Sequence, residues 1–164
     1  MLIDSDVLIW LIRGHVGAAQ RLGQISTWRI SVVTYMELAQ GCRDKAELAR
    51  LKKGLAARNT DVLQVTPAIS QCAAELVDLL ALSHGMRLAD ALIGATAIEH
   101  GATLITANTR HFEAVQNLVI EGMNPLASAR CPEWAPMPCS DCRVPESSLL
   151  PGQAPVRDRV GSRS

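Results

Sequence analysis

The chain opens on an apolar pair, Leu2-Ile3, closed by Asp4, a pattern that predicts a short buried strand. Apolar positions at helical spacing follow over residues 7–12, and a second helical pattern covers 16–25. Residues 28–33 end in β-branched side chains and predict a strand, after which 35–42 turns helical. A charged helix is expected over 44–58, a third strand over 62–65, and a further helix opening at Pro67. Small and apolar residues give a helix over 88–100 that Gly101 ends. A buried strand at 103–106 and an edge strand at 118–120 complete the pattern. Strands alternating with helices predict a three-layer α/β/α fold with a mostly parallel sheet.

Composition divides the chain. Six of the eight prolines and three of the five cysteines fall after residue 126, where no apolar period survives. We therefore expect one domain over residues 1–126, followed by a Pro/Cys/Ser-rich tail over 127–164 without fixed structure. A hydrophobic content of 48% suffices for one core in a chain of 164 residues. No apolar run reaches the roughly 20 residues needed to cross a bilayer, and Met1 leads into the first strand without a basic leader, so a cytoplasmic location and no membrane partner are expected. Cys42 and Cys72 lie in helical patterns and are read as reduced thiols. Cys131, Cys139 and Cys142 would supply three thiolates to zinc, but the tail has no histidine to complete a tetrahedron. Lysines plus arginines and acids both number 16, so no bulk positive charge is available to hold nucleic acid. With only Trp10, Trp28, Tyr35, Phe112 and Trp134 as aromatics, a base-stacking platform is also poorly supported. Any RNA would be held mostly through its phosphates.

In parallel α/β sheets, sites form beyond the carboxyl ends of the strands. Four polar residues have that placement: Asp4 after the first strand, Glu37 in the helix after the second, Asp90 at the start of the helix over 88–100, and Asn108 after the strand ending at Thr106. Asp90 stands among residues suited to close packing, where an unpaired carboxylate would cost several kcal/mol. It must cap its helix, find a partner or bind a cation. A helix cap is an alternative for Asp4 as well, and a solvated helix face for Glu37. If the acids converge, oxygen-only ligation without nearby histidine or cysteine clusters favours Mg²⁺ or Mn²⁺ over zinc. Such an ion activates water toward a phosphodiester.

Three acidic segments, Leu2-Ile3-Asp4-Ser5-Asp6-Val7-Leu8-Ile9-Trp10, Ser31-Val32-Val33-Thr34-Tyr35-Met36-Glu37-Leu38 and Leu88-Ala89-Asp90-Ala91-Leu92-Ile93, resemble the successive acidic motifs of PIN-domain ribonucleases of the VapC toxin type. The segment from Glu99 to Phe112 resembles the last motif of that family, and Asn124-Pro125 resembles its usual ending. The four motifs occur in order over almost all of residues 1–126. The resemblance implies an endoribonuclease toxin that requires Mg²⁺ or Mn²⁺, forms homodimers and is blocked by a VapB-like antitoxin whose C-terminal segment fills the active-site groove. By motif, Asp4, Glu37 and Asp90 would bind the metal, and Asn108 would orient a second metal or the water. Where the family often carries an acid before the phenylalanine of the last motif, this chain has His111.

Asp6, two residues after Asp4, gives a second reading: an Asp-x-Asp pair after an apolar strand also resembles haloacid-dehalogenase-type phosphatases, with Asp4 as nucleophile and Asp6 as acid/base. Those enzymes need a late lysine, and none follows Lys53. In the nuclease reading Asp6 is a first-turn helix acid. A third reading keeps the fold but makes the chain a catalytically weak module that binds an antitoxin or RNA. Arg43, Lys45, Arg50, Lys52, Lys53 and Arg58 form the basic cluster, read as a solvated helical face relieved by Asp44 and Glu47. Arg87 and Arg110 flank the expected site, and among the histidines His111 is the one to test for contact with substrate or metal.

Overall fold

Side chains alternate across a strand, so a buried strand between two helical layers must be apolar on both faces. The computed structural model, which describes residues 1–123, realises this in β1 (Leu2–Ile3) and β4 (Leu104–Thr106). Leu2 and Leu104 pack with one group of buried residues, and Ile3 and Ile105 with another. The first group draws on α5 (Pro67–His84), α6 (Leu88–Glu99) and α7 (Thr109–Phe112). The second draws on α1 (Ser5–Ile12), α2 (Val16–Gly23), α3 (Val32–Gln40) and α4 (Lys45–Ala57). These are the two outer layers of the α/β/α arrangement.

Among the described residues all strand pairs are parallel. β1 pairs with β4, with Ile3 opposite Ile105, and β4 pairs with β5 (Ile120–Gly122). A separate ladder joins β2 (Arg29–Ser31) to β3 (Asp61–Leu63), and β2 runs alongside β1. Across the edge, Arg21 of α2 holds Glu121 of β5 through contacts of 2.5 and 2.9 Å.

Local chemistry sets the boundaries. β2 ends at Ser31 rather than at residue 33, because the Ser31 hydroxyl accepts from the Val33 backbone N–H at 3.2 Å and starts α3 three residues earlier than expected. Val32 and Val33 are therefore helical despite their β-branching. α4 is capped by Asp44, which accepts from Glu47 N–H at 2.7 Å, and α5 by Thr66 with Pro67 in the first turn. Gly85 ends α5 at φ 66°, a left-handed conformation that suits glycine. The expected strand over 118–120 forms later, as Ile120–Gly122, after Asn117 turns the chain at φ 62°. α7 was not foreseen: one turn of Thr-Arg-His-Phe carries too little periodicity to be recognised.

Among the described residues Cys42 and Cys72 form no disulfide. Among the described residues no helix is long and apolar enough to cross a membrane. The tail over 127–164, its three cysteines and Asn124-Pro125 lie outside the described residues.

Among the described residues Phe112 is the largest fully buried side chain, and its ring lies 3.4 Å from the position a Cβ on Gly94 would take. It thereby fixes α7 against α6. Phe112→Ala is expected to lower stability by about 3–5 kcal/mol, as for other buried phenylalanine truncations, measured by denaturant unfolding. A loss below about 1 kcal/mol would contradict this anchoring role.

Candidate active site

The β1–β4 register brings the ends of two buried strands together. Asp4 follows Ile3, Thr106 follows Ile105, and the Asp4 backbone N–H donates to Ile105 O at 2.9 Å. Asp4 is 4% exposed and Thr106 fully buried. The Thr106 hydroxyl donates to Asp4 Oδ2 at 2.8 Å, while Asp4 Oδ1 accepts from the Ser5 backbone N–H at 2.7 Å and so caps α1. Cap and site are thus the same carboxylate.

Asp6 lies in the first turn of α1 and faces the same loop. Its Oδ2 accepts from the Ala107 backbone N–H at 3.0 Å and approaches the Thr106 hydroxyl at 3.4 Å. Its Oδ1 is buried without a hydrogen-bond partner. Asp6 is therefore part of the cluster, where the sequence suggested only a helix acid. Burial, then the charge of Asp6, and more weakly that of Asp90, push the Asp4 carboxyl up to about 7, against the lowering effects of Thr106 and Ser5. Burial also raises Asp6, and its bonds to Ala107, Val7, Thr106 and Asn108 oppose that rise.

Asp90 enters from the other helical layer. It occupies the third position of α6, not the cap, and its Oδ2 accepts from the Arg87 backbone N–H at 3.3 Å. The same oxygen lies 2.9 Å from His111 Nδ1, and the Asn108 side-chain amide lies 2.8 Å from that nitrogen. The Asn108 backbone N–H donates to the Thr106 hydroxyl at 3.0 Å. The segment from Thr106 to His111 thus touches Asp4, Asp6 and Asp90.

Glu37 stands outside this network. It sits on α3, which packs against both α1 and α6, and its Oε2 is buried without a hydrogen-bond partner. Glu37 also lines a groove of about 650 Å³ between α1, α3 and α4, with Leu8, Leu11, Leu38 and Leu51 among its walls. Arg13, Arg50 and Arg58 border the groove. Arg58 lies 5.0 Å over the Trp28 ring and Arg43 pairs with Glu47, so the basic cluster is partly committed within the protein.

The fold gathers Asp4, Asp6, Asp90, Asn108 and His111, and holds Glu37 on the adjoining helix. As they stand, no three His, Cys, Asp or Glu side chains among the described residues are grouped closely enough to hold an ion. The donor set nevertheless suits a hard divalent cation. It is all oxygen at the acids, and the orphaned Asp6 Oδ1 and Glu37 Oε2 are buried acceptors that lack a positive partner. Sequence reasoning missed Thr106 and underrated Asp6. The available signal for Thr106 was a hydroxyl at the end of the strand register-paired with Asp4.

Because the Asp4 carboxyl is raised from 3.8 to about 7, the folded protein retains a proton that the unfolded chain has lost between these values. Stability in the absence of divalent ions therefore falls as pH rises through that window. Asp4→Asn keeps the cap and removes the buried charge, and is expected to stabilise the ion-free protein at pH 7.5 by on the order of 1–2 kcal/mol, with a flatter dependence on pH. Denaturant unfolding in EDTA at pH 5 and 7.5 checks both points. A variant less stable than wild type at pH 7.5 would contradict the assignment.

Comparisons with known proteins bear on the family and the fold. The chain matches the PIN domain family over residues 1–118. Among solved structures it is similar to a toxin–antitoxin complex from Klebsiella pneumoniae, at 28% identity and a TM-score of 0.62, covering 76% of this chain and 96% of the other. It is also similar to VapBC2 from Rickettsia felis bound to a promoter DNA fragment, at 20% identity and a TM-score of 0.64, covering 75% and 98%. A third similar structure is VapBC-1 from nontypeable Haemophilus influenzae, at 24% identity and a TM-score of 0.61, covering 74% and 96%. Comparison with curated proteins gives no match. The match over most of the chain, on a parallel α/β/α frame, sets aside the phosphatase reading: the protein belongs to the PIN domain family, a family of nucleases.

Proposed function

We propose that the protein is a divalent-metal-dependent endoribonuclease that acts as the toxin of a toxin–antitoxin pair. The observation that carries this reading is the trio Asp4, Asp6 and Asp90, which two helical layers deliver to one loop at the carboxyl end of the sheet in a PIN-family chain. Asp4, Glu37 and Asp90 are the residues proposed to hold the ion. A bound Mg²⁺ or Mn²⁺ would supply Lewis acidity to a water molecule and to the scissile phosphodiester.

The remaining roles belong to the chain's own groups. Thr106 orients Asp4 through its hydroxyl, and Ala107 N–H fixes Asp6, so both carboxylates are set before substrate arrives. Asn108, on the same loop, is proposed to orient the water or substrate. Burial concentrates the electrostatic effect of each charge by excluding water.

The partner reading draws on the groove between α1, α3 and α4. Its walls are largely apolar, arginines border it, and Glu37 is among its lining residues. An amphipathic antitoxin segment with an acidic edge suits such a groove, and it would cover Glu37 while bound. The similar structures described above include complexes of toxins with antitoxins. A homodimer would have the exposed Leu79 and Leu82 of α5 available as apolar surface.

The test is cleavage of total RNA by the purified protein with Mn²⁺, with Mg²⁺ and with EDTA. Discrete fragments are expected with metal only, and Asp90→Asn or Glu37→Gln is expected to reduce their rate about 100-fold or more while remaining folded. The absence of cleavage with either ion would contradict the nuclease reading and favour the role of a catalytically weak module that binds antitoxin or RNA. Phosphate release from a small monoester, tolerant of Glu37→Gln, would favour a phosphatase.

A further inference from the structure

One ring nitrogen in the site faces two polar partners at once. His111 Nδ1 lies 2.9 Å from Asp90 Oδ2 and 2.8 Å from the Asn108 side-chain nitrogen Nδ2. In a neutral imidazole, a given nitrogen carries either a proton or a lone pair. A lone pair turned to a carboxylate oxygen at this distance would be repulsive, with no hydrogen between the two atoms. The proton therefore belongs on Nδ1. With the proton there, Nδ2 at this position would set donor against donor, so the Asn108 amide must be turned over by about 180° from the placement given above, presenting its oxygen to the ring. Its NH₂ then points away from the ring.

Asp90 is held from a second direction as well. The Arg87 backbone N–H donates to the same Oδ2, at 3.3 Å, so both donors act on one oxygen and leave Oδ1 to other partners. The ring has little freedom to leave. His111 lies on α7, whose next residue, Phe112, is buried against Gly94 of the helix that carries Asp90. An acid at position 111 would add a negative charge beside Asp90, whereas histidine adds a donor.

We infer that His111 is a positioning residue: its Nδ1–H holds Asp90 by Oδ2 so that Oδ1 is offered to the cation, and it turns the Asn108 NH₂ toward an acceptor such as a phosphate oxygen. The half that concerns the cation rests on the metal-dependent reading above. The half that concerns the ring does not. Second-layer donors of this kind commonly alter metal affinity by about 10–100-fold when removed.

Two measurements on the full chain separate these halves. The first is the ring ¹⁵N spectrum of ion-free protein at pH 8.5, where an ordinary imidazole is neutral. A protonated Nδ1 and an unprotonated Nε2 on His111 are expected, and the opposite tautomer overturns the inference. The second is calorimetric titration with Mn²⁺ of wild type, His111→Asn, His111→Gln and His111→Leu, each checked for folding by circular dichroism. Asparagine can place a donor near the Nδ1 position, glutamine reaches instead toward Nε2, and leucine supplies none. His111→Asn is expected to bind Mn²⁺ within about threefold of wild type, and His111→Gln and His111→Leu about tenfold or more weakly. An asparagine variant as weak as the leucine variant, or a leucine variant as strong as wild type, overturns the inference. Wild type that binds no Mn²⁺ overturns the cation half together with the metal reading, and the ring spectrum then still decides the hydrogen bond.

Discussion

The short parallel ladder between β1 and β4 is the constraint on which the site depends. With Ile3 opposite Ile105, the next residues on each strand are Asp4 and Thr106, and the threonine hydroxyl meets the carboxylate across the strand ends. Everything else is added around that pair. α1 begins at Asp4 and returns Asp6 to the same loop, and the loop continues through Asn108 to His111, which reaches Asp90. A shift of one residue in this register would exchange the faces of Leu2 and Ile3 and separate Asp4 from Thr106.

The same placement strains the fold electrostatically. Asp4 is almost wholly buried beside Asp6, and the apolar packing that makes the strand stable is what raises its carboxyl toward neutrality. Fixed donors from Ser5, Thr106 and Ala107 offset part of this, but Asp6 Oδ1 and Glu37 Oε2 remain without hydrogen-bond partners. Each such buried acceptor costs about 1–3 kcal/mol. A chain selected for stability alone would place asparagine or serine at these positions. That it places acids is the physical reason for reading the cluster as a binding site for positive charge.

Much of this was legible in the sequence, for identifiable reasons. Leu2-Ile3-Asp4 and residues 103–106 are short apolar runs ending in polar residues, so both the strands and the edge where they end could be read directly. The layers followed from the alternation of elements. Boundaries were less legible: Ser31 ends β2 by capping a helix that opens on β-branched residues, a local hydrogen bond that outweighs their strand propensity. Asp6 was undervalued because its role depends on an Ala107 N–H contributed by the loop after β4, 101 residues away. Thr106 was missed for the same reason. His111 was recognisable only as a departure from the family pattern, and its contact with Asp90 required the chain path of α7. The groove beside Glu37 requires three helices at once and has no signature in any one of them.

The account turns on whether these carboxylates bind a cation, and crystals grown with Mn²⁺ and measured at the manganese absorption edge test that most directly. The account predicts one strong anomalous peak at the carboxyl end of β1, with oxygens of Asp4 and Asp90 as ligands at about 2.0–2.2 Å and Glu37 drawn toward it. A map with no peak there at saturating Mn²⁺, or with the ion bound elsewhere while Asp90 stays engaged only by His111 and Arg87, would contradict it.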